Sequence, residues 1–531
     1  MREPPWWQRG VIYEVYPRSF QDSDGDGVGD LKGIVERIDY LSWLGLDAVW
    51  ICPIYPSPMA DFGYDVADYV GIDPLFGTMA DFDRLVAALH ARGIRLILDF
   101  VPNHTSDQHP WFKEARASRD SPRRDWYIWR DPGPDGGPPN NWVSQAGGSA
   151  WEFDPASGQY YYHAFLACQP DLNWRNPAVR RAMYDVLRFW LERGVDGFRV
   201  DVFWHMIKDA EFRDDPINPH YLEGQPDFRR VQPLYSADQP EVHEIALEMR
   251  RVVDEYPGER VLIGEIYLPV ERLVAYYGPE LSEIHLPFNF NLMWAKWRPE
   301  TVAQLIQGYE NVLPAGGWPT WVLGNHDQAR IATRLGPAQA RVAMLLLLTL
   351  RGTPTLYYGD ELGLANVPIP PERERDPFGI RQPGTGQGRD PVRTPMPWDG
   401  SASCGFTTGE PWLPLGEEHG ARSVAAQRHD PDSMLMLTRA LLELRRREPA
   451  LSIGDWAPLA VEEHVLVYAR TWRDRRFVIA LNLRSAPRAV RHEELAGRVE
   501  LSTRLARVGQ RIEGRLDLAG DEAVIVATEG A

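Results

Sequence analysis

Three short strings each set one acidic side chain at the end of an apolar run: GFRVD at 197–201, GEI at 264–266 and GNHD at 324–327. Their carboxyls belong to Asp201, Glu265 and Asp327. A fourth string, DFVPNH at 99–104, ends an earlier apolar run in the same way. An apolar run that closes on an exposed acid is how a parallel barrel strand delivers a catalytic group to its C-terminal rim. Two carboxyls that divide the acid and nucleophile roles are the equipment for breaking a glycosidic bond. Arg199 stands two residues before Asp201, on the same face of a strand, where its charge lowers the carboxyl pKa and keeps it ionised as a nucleophile must be. Taken alone, such a pair reads as a structural salt bridge; the other strings turn it toward chemistry. Glu265 lies between Ile263 and Ile266, an apolar surround that raises a carboxyl pKa toward what a general acid needs. Asn325, His326 and Asp327 make a poor metal site, with one His and one Asp. They suit vicinal sugar hydroxyls better, as an imidazole donor beside a carboxylate acceptor.

These groups need a frame that brings four strand ends together. Apolar β-type runs recur at 11–16, 46–52, 94–101, 195–201, 261–266, 284–290, 320–324 and 353–358, with helical periodicity over 31–44, 78–92, 177–193, 241–256, 299–313, 338–350 and 433–447. Eight strands alternating with helices is the number that closes a (β/α)8 TIM barrel. Asn176 followed by Pro177 marks one helix start as an N-cap and first-turn proline. Two spacings break the pattern. Residues 105–170 are rich in Trp, Gly and Pro and far exceed an ordinary loop, which predicts an inserted functional subdomain. The stretch 361–430 is again long and rich in Pro and Gly, and its part 365–393 is expected to overhang the pocket as a mobile acceptor-side lid. Past about 452 short alternating runs such as HVLVYART and FVIALNL predict a small antiparallel β domain.

At 531 residues the chain is too long for one ordinary core. A net charge of −18 argues against nucleic acid and anionic membrane, which need clustered Lys and Arg. Cys52, Cys168 and Cys404 are an odd count at no metal spacing, so a disulfide framework is not expected. The start, MREPPWWQRG, has no apolar signal region, and the run AMLLLLTL at 343–350 is too short to span a bilayer. The expectation is a cytoplasmic protein, monomeric or homodimeric. Near the N-terminus DSDGDGVGD sets Asp22, Asp24, Asp26 and Asp30 at alternating positions, with the Val28 carbonyl within reach. Hard oxygen ligands around glycine turns point to calcium, or magnesium. The alternative is an acidic turn without metal. The twelfth position from Asp22 is Gly33, so the loop is no EF-hand.

Together these strings resemble the α-amylase superfamily, glycoside hydrolase family thirteen, and within it the α-glucosidase and oligo-1,6-glucosidase branch. The likeness runs over nearly the whole chain, through VIYEVYPRSFQDSDGDGVGDLKGI, GYDVADY at 63–69, DFVPNH, QPDLNW at 169–174, GFRVD, GEI, NHD and TPMPWDG at 394–400. The resemblance implies a barrel over 1–104 and 172–450, an inserted domain over 105–171 and a C-terminal β domain over 451–531. It implies that Asp201 is the nucleophile of a covalent β-glucosyl intermediate, that Glu265 is the acid and then the base, and that Asp327 binds the 2- and 3-hydroxyls. His104 and His326 would bond the same sugar, and Arg199 would orient Asp201. Asp65 and Tyr64 would close the non-reducing end, Asp65 by clamping hydroxyls and Tyr64 by stacking. Arg330, after NHDQ, would shut the pocket. The acidic loop corresponds to the family's structural calcium site. Val202, after the nucleophile, is associated in this branch with tolerance of α-1,6 bonds, although it reads equally as packing.

The activity implied is retaining, exo-acting hydrolysis of terminal α-linked glucose from short α-glucosides, with the two reacting carboxyls ~5–5.5 Å apart. A transglucosylase, or a sucrose or trehalose isomerase, would use the same intermediate; no isomerase-type RLDRD string follows 284. A non-catalytic transporter-associated chain would have lost the acids. QPDLN and Arg330 point away from an endo-acting amylase.

Overall fold

A computed structural model of the chain describes residues 3–528. Eight parallel strands form its centre: β1 (Ile12–Val15), β2 (Ala48–Ile51), β3 (Arg95–Phe100), β4 (Gly197–Val200), β5 (Val261–Glu265), β6 (Leu286–Phe288), β7 (Thr320–Val322) and β8 (Thr353–Tyr357). Hydrogen-bonded neighbours run in the order β7-β8-β1-β2-β3-β4-β5-β6. The remaining seam is bridged by Thr320, whose hydroxyl donates to the Pro287 carbonyl (2.8 Å) and accepts from the Asn289 amide (3.1 Å). Nearly every strand residue is buried, as expected of parallel strands covered by helices outside and packed side chains inside. That is why these strands read as continuous apolar runs. The fully buried charged residues of these strands, Glu14, Asp99, Arg199 and Glu265, lie at or beneath the site described below.

The predicted helices are present, with one change. The stretch expected as a single helix over 31–44 is two, Leu31–Glu36 and Ile38–Leu44. Arg37 between them leaves helical geometry (φ −102°, ψ 5°) and its Nε donates to Gln21 Oε1 at 2.7 Å. Asn176 caps Pro177–Glu192 by accepting from the Ala178 amide, which supplies one of the orphan donors at the helix start.

Between β3 and β4 the chain builds a three-stranded antiparallel sheet, Trp129–Arg130, Gln159–Tyr162 and Trp151–Asp154 in that spatial order. It is tied back to the barrel by a buried ion pair of Lys208 with Asp171, and Lys208 also donates to Asn103 Oδ1 (2.9 Å). After β8 comes the long irregular stretch, then helix Met434–Arg447. Six antiparallel strands follow: β9 (Asp455–Glu462), β10 (Val465–Trp472), β11 (Arg475–Asn482), β12 (Arg488–Ser502), β13 (Arg511–Leu518) and β14 (Ala523–Thr528), ordered β9-β10-β11-β14-β12-β13. No helix among the described residues is long and apolar enough to cross a membrane.

Candidate active site

The strand order sets Asp99 (β3), Arg199 and Asp201 (end of β4) and Glu265 (end of β5) side by side at the C-terminal rim. Arg199, 1% exposed, joins all three acids. Its Nη1 donates to Asp99 (2.9 and 3.1 Å) and to Asp201 Oδ1 (2.7 Å), and its Nη2 pairs with Glu265 Oε1 (2.5 Å). The other Glu265 oxygen accepts from the Val202 amide at 2.8 Å. Val202 holds a left-handed backbone (φ 35°, ψ 46°), a conformation that β-branched residues avoid and that marks functional turns. The strained turn after Asp201 thus turns an amide onto Glu265.

One guanidinium among three buried carboxyls leaves surplus negative charge. Burial pushes the Asp99 carboxyl up to about 6 against the pull of Arg199. Burial likewise pushes Asp201 well up; Arg199 pulls it back, and the Glu265 and Asp99 charges add to the rise. Arg199 lowers the Asp201 carboxyl as expected, but burial and the neighbouring carboxyls outweigh it, so Asp201 stands above its ordinary value in the free enzyme. Asp99 and Asp201 therefore retain protons more tightly than isolated acids do. Glu265 lies between buried Ile263 and Ile266, and both its oxygens also have polar partners, Arg199 and the Val202 amide.

Asp327 lies in the loop after β7 and meets two arginines from the stretch after β8. Its Oδ1 accepts from Arg393 Nη2 (2.8 Å) and stands 3.5 Å from Arg389 Nη1. Burial pushes this carboxyl up, but His326, Arg389 and Arg393 more than offset it and hold it well below the usual carboxylate range. Arg389 also pairs with Asp61 (2.6 Å) and Asp376 (2.6 and 2.9 Å). Tyr64 and His326 complete this wall: Tyr64 Oη is 2.7 Å from His326 Nε2 and donates to Asp99 Oδ2 at 2.9 Å. Their rings stack at 5.4 Å. His104 lies one layer behind, its Nε2 3.1 Å from the Tyr64 carbonyl and 3.2 Å from Gln169 Nε2.

Two residues are placed otherwise than expected. Asp65 is fully buried and accepts from the Ser57 hydroxyl and the Ala60 and Asp61 amides, each at 2.9 Å. It pins the loop that presents Asp61, and it is Asp61 that reaches Arg389. Arg330 is also fully buried. Its Nη1 donates to the Tyr358 carbonyl (2.8 Å) and faces Asp360 (3.5 Å), beneath the loop and away from Asp327. The arginine that reaches both Asp61 and Asp327 is Arg389. The overhanging stretch is tied to the inserted region. Phe378 packs with Ala146 and Leu166 of the inserted region, and Gln382 donates to the Gln145 carbonyl and accepts from the Asp227 amide. Sequence reasoning missed Asp61, Asp376, Arg389, Arg393 and Glu14. Asp99 ends its run by the same rule as the three acids and was within reach of it.

In the acidic loop, carboxylate oxygens of Asp22, Asp24 and Asp30 converge within 4.8 Å of one another, while the Asp26 carboxylate stands outside that group. Asp22 also accepts from the Asp24, Gly25 and Gly27 amides and from the Thr407 hydroxyl. Three converging carboxylates on a turn of this kind fit a hard divalent cation.

This geometry has close counterparts. Residues 14–454 match the model of the α-amylase catalytic domain. A probable α-glucosidase of Rhizobium meliloti (strain 1021) is 41% identical over 493 residues, covering 90% of this chain and 89% of that protein. An oligo-1,6-glucosidase of Heyndrickxia coagulans is 40% identical over 522 residues, covering 90% and 92%. The crystal structure of the α-glucosyl transfer enzyme XgtA superposes with a TM-score of 0.93 at 41% identity, over 99% of this chain and 100% of that one. Matches of that extent, on a parallel barrel carrying carboxyls on its rim, leave one assignment: the chain belongs to the α-amylase family of glycoside hydrolases, in its α-glucosidase branch.

Proposed function

We propose that this protein is a retaining, exo-acting α-glucosidase that removes terminal glucose from short α-glucosides. The observation that carries the reading is the single Arg199 guanidinium holding Asp201 and Glu265 together at adjacent strand ends. That places two carboxyls where one can attack an anomeric carbon while the other serves the leaving oxygen. Asp201 attacks C1 from the β face as Glu265 gives its proton to the departing glycosidic oxygen. A water then enters, Glu265 takes its proton, and its oxygen displaces Asp201. Asp327, held ionised by two arginines, accepts from the 2- and 3-hydroxyls and faces the positive charge that develops on the ring. The Arg389–Asp61 pair closes the non-reducing end, which favours removal of one terminal sugar at a time. Asp22, Asp24 and Asp30 would hold a structural calcium, magnesium being the alternative; bound there, it would neutralise the acidic turn and fix the loop.

A second reading, transfer of the glucosyl group to a sugar acceptor or isomerisation of a disaccharide, draws support from the likeness to XgtA. It shares every step up to the covalent intermediate. Products followed over time from maltose, isomaltose, sucrose and trehalose separate the two, with Asp201→Asn as control. Free glucose as the dominant early product, absent from the control, supports hydrolysis. Early isomers or longer oligosaccharides would replace that reading with transfer.

A further inference from the structure

Glu14 is the one charged residue of β1, IYEV, and it is fully buried. Its Oε1 lies 2.5 Å from His326 Nδ1 and also accepts from the His326 amide (3.3 Å) and the Cys52 thiol (3.7 Å). Its Oε2 is buried with no partner. A buried carboxyl with one bare oxygen requires an account, and nothing in the proposed bond cleavage uses it.

Counting protons supplies one. Above about pH 6 Asp99 is ionised and only accepts. It takes the single phenolic proton of Tyr64 (2.9 Å), which leaves Tyr64 Oη as an acceptor toward His326 Nε2 (2.7 Å). Nε2 therefore carries a hydrogen. One further proton lies between Nδ1 and Glu14. Burial pushes the Glu14 carboxyl well up and the His326 imidazole well down, so that proton rests on the carboxyl. Glu14 O–H donates to Nδ1, Nε2–H donates to Tyr64 and Tyr64 O–H donates to Asp99, with one acceptor for each donor. The reverse tautomer would set two lone pairs, Nε2 and the Tyr64 oxygen, against each other, and Nδ1–H would leave Glu14 ionised deep in the barrel.

We propose that Glu14 is a positioning residue that acts on the Nδ1 side, as the Tyr64–Asp99 pair acts on the Nε2 side, to hold His326 in the tautomer protonated on Nε2, so that the imidazole presents a donor beside Asp327, whose Oδ2 is 3.5 Å away. A hydroxyl lodged there shares the Nε2 hydrogen with the Tyr64 oxygen and gives its own to Asp327. That last step rests on the sugar-binding role proposed above; the tautomer itself does not.

The test is nitrogen NMR of histidine-labelled protein near neutral pH, with His326→Gln to assign the resonance, on the wild type, Glu14→Gln and Glu14→Leu. The expected result is a protonated Nε2 and bare Nδ1 in the wild type. Glu14→Gln keeps that pattern, because its amide can still donate to Nδ1. Glu14→Leu gives a tautomer mixture and lowers kcat/KM about tenfold or more, the worth of one misdirected hydrogen bond. A proton on Nδ1 in the wild type overturns the proposal, whether or not the leucine variant folds. So does a folded Glu14→Leu enzyme that keeps both the Nε2 tautomer and the wild-type kcat/KM. If the tautomers behave as expected but the wild type cleaves no α-glucoside, the fault lies in the functional reading alone.

Discussion

Arg389→Met asks whether the arginine from the post-barrel stretch grips substrate or merely ties loops together. The side chain is 12% exposed and pairs with Asp61 and Asp376, themselves 5% and 2% exposed. Removing one partner from a buried ion pair costs about 3–5 kcal/mol. Two cushions place this case at the low end. Asp376 keeps the Arg389 and Phe378 backbone amides, and Asp61 keeps Gln169 Nε2 at 3.1 Å. Methionine also retains contact with the Phe378 ring, over which the guanidinium now sits at 4.3 Å. Stability should therefore fall by about 3 kcal/mol. The functional loss is separate. A hydrogen bond to a charged group contributes about 1.5–3 kcal/mol, so losing the grip on a terminal sugar should raise KM for maltose or isomaltose about 10- to 100-fold. Because that sugar is held alike in ground and transition states, kcat should change much less. Steady-state kinetics on both disaccharides, beside a melting curve, read the two effects independently. Arg330→Gln is the control, since that side chain faces Tyr358 and Asp360; it should lower the melting temperature and leave KM alone. The reasoning is refuted if Arg389→Met loses stability but keeps KM within twofold, or if Arg330→Gln is the variant whose KM rises.

Asp99→Asn should move the acidic limb of kcat/KM to lower pH by about one unit, some 1.4 kcal/mol. The negative charge at Asp99 raises Asp201 and shares the Arg199 Nη1 with it; without it Asp201 loses its proton more easily, and a limb that stays or moves up contradicts the three-acid account. Chelation should lower the melting temperature, calcium should restore it, and Asp22→Ala should abolish the difference by removing a carboxylate that also anchors three amides. A chelator shift that survives in Asp22→Ala would place the cation elsewhere.

How far the sequence could be read follows from how each residue is placed. Fully buried parallel strands write themselves as apolar runs, so all eight were legible, and so were Asp201 and Glu265, which end their runs on the rim. Asp327 was legible by its string. The break at Arg37 was not, because it depends on a side-chain contact with Gln21 that helical periodicity does not encode. Asp61 and Arg389 were missed for a stronger reason. They are 328 residues apart, in loops with no period, so nothing in the local sequence announces that they meet. Asp65 and Arg330 were chosen in their place because each lies in a recognisable string, GYD and NHDQ. The fold uses Asp65 to pin the loop that carries Asp61, and buries Arg330 beneath the wall that Arg389 completes. A motif therefore marks where the backbone is constrained, which is close to the site but not always in it. Glu14 shows the converse: a charged residue inside a buried strand is visible in the sequence as a conflict with its surroundings, and the conflict points inward, to the histidine whose proton it governs.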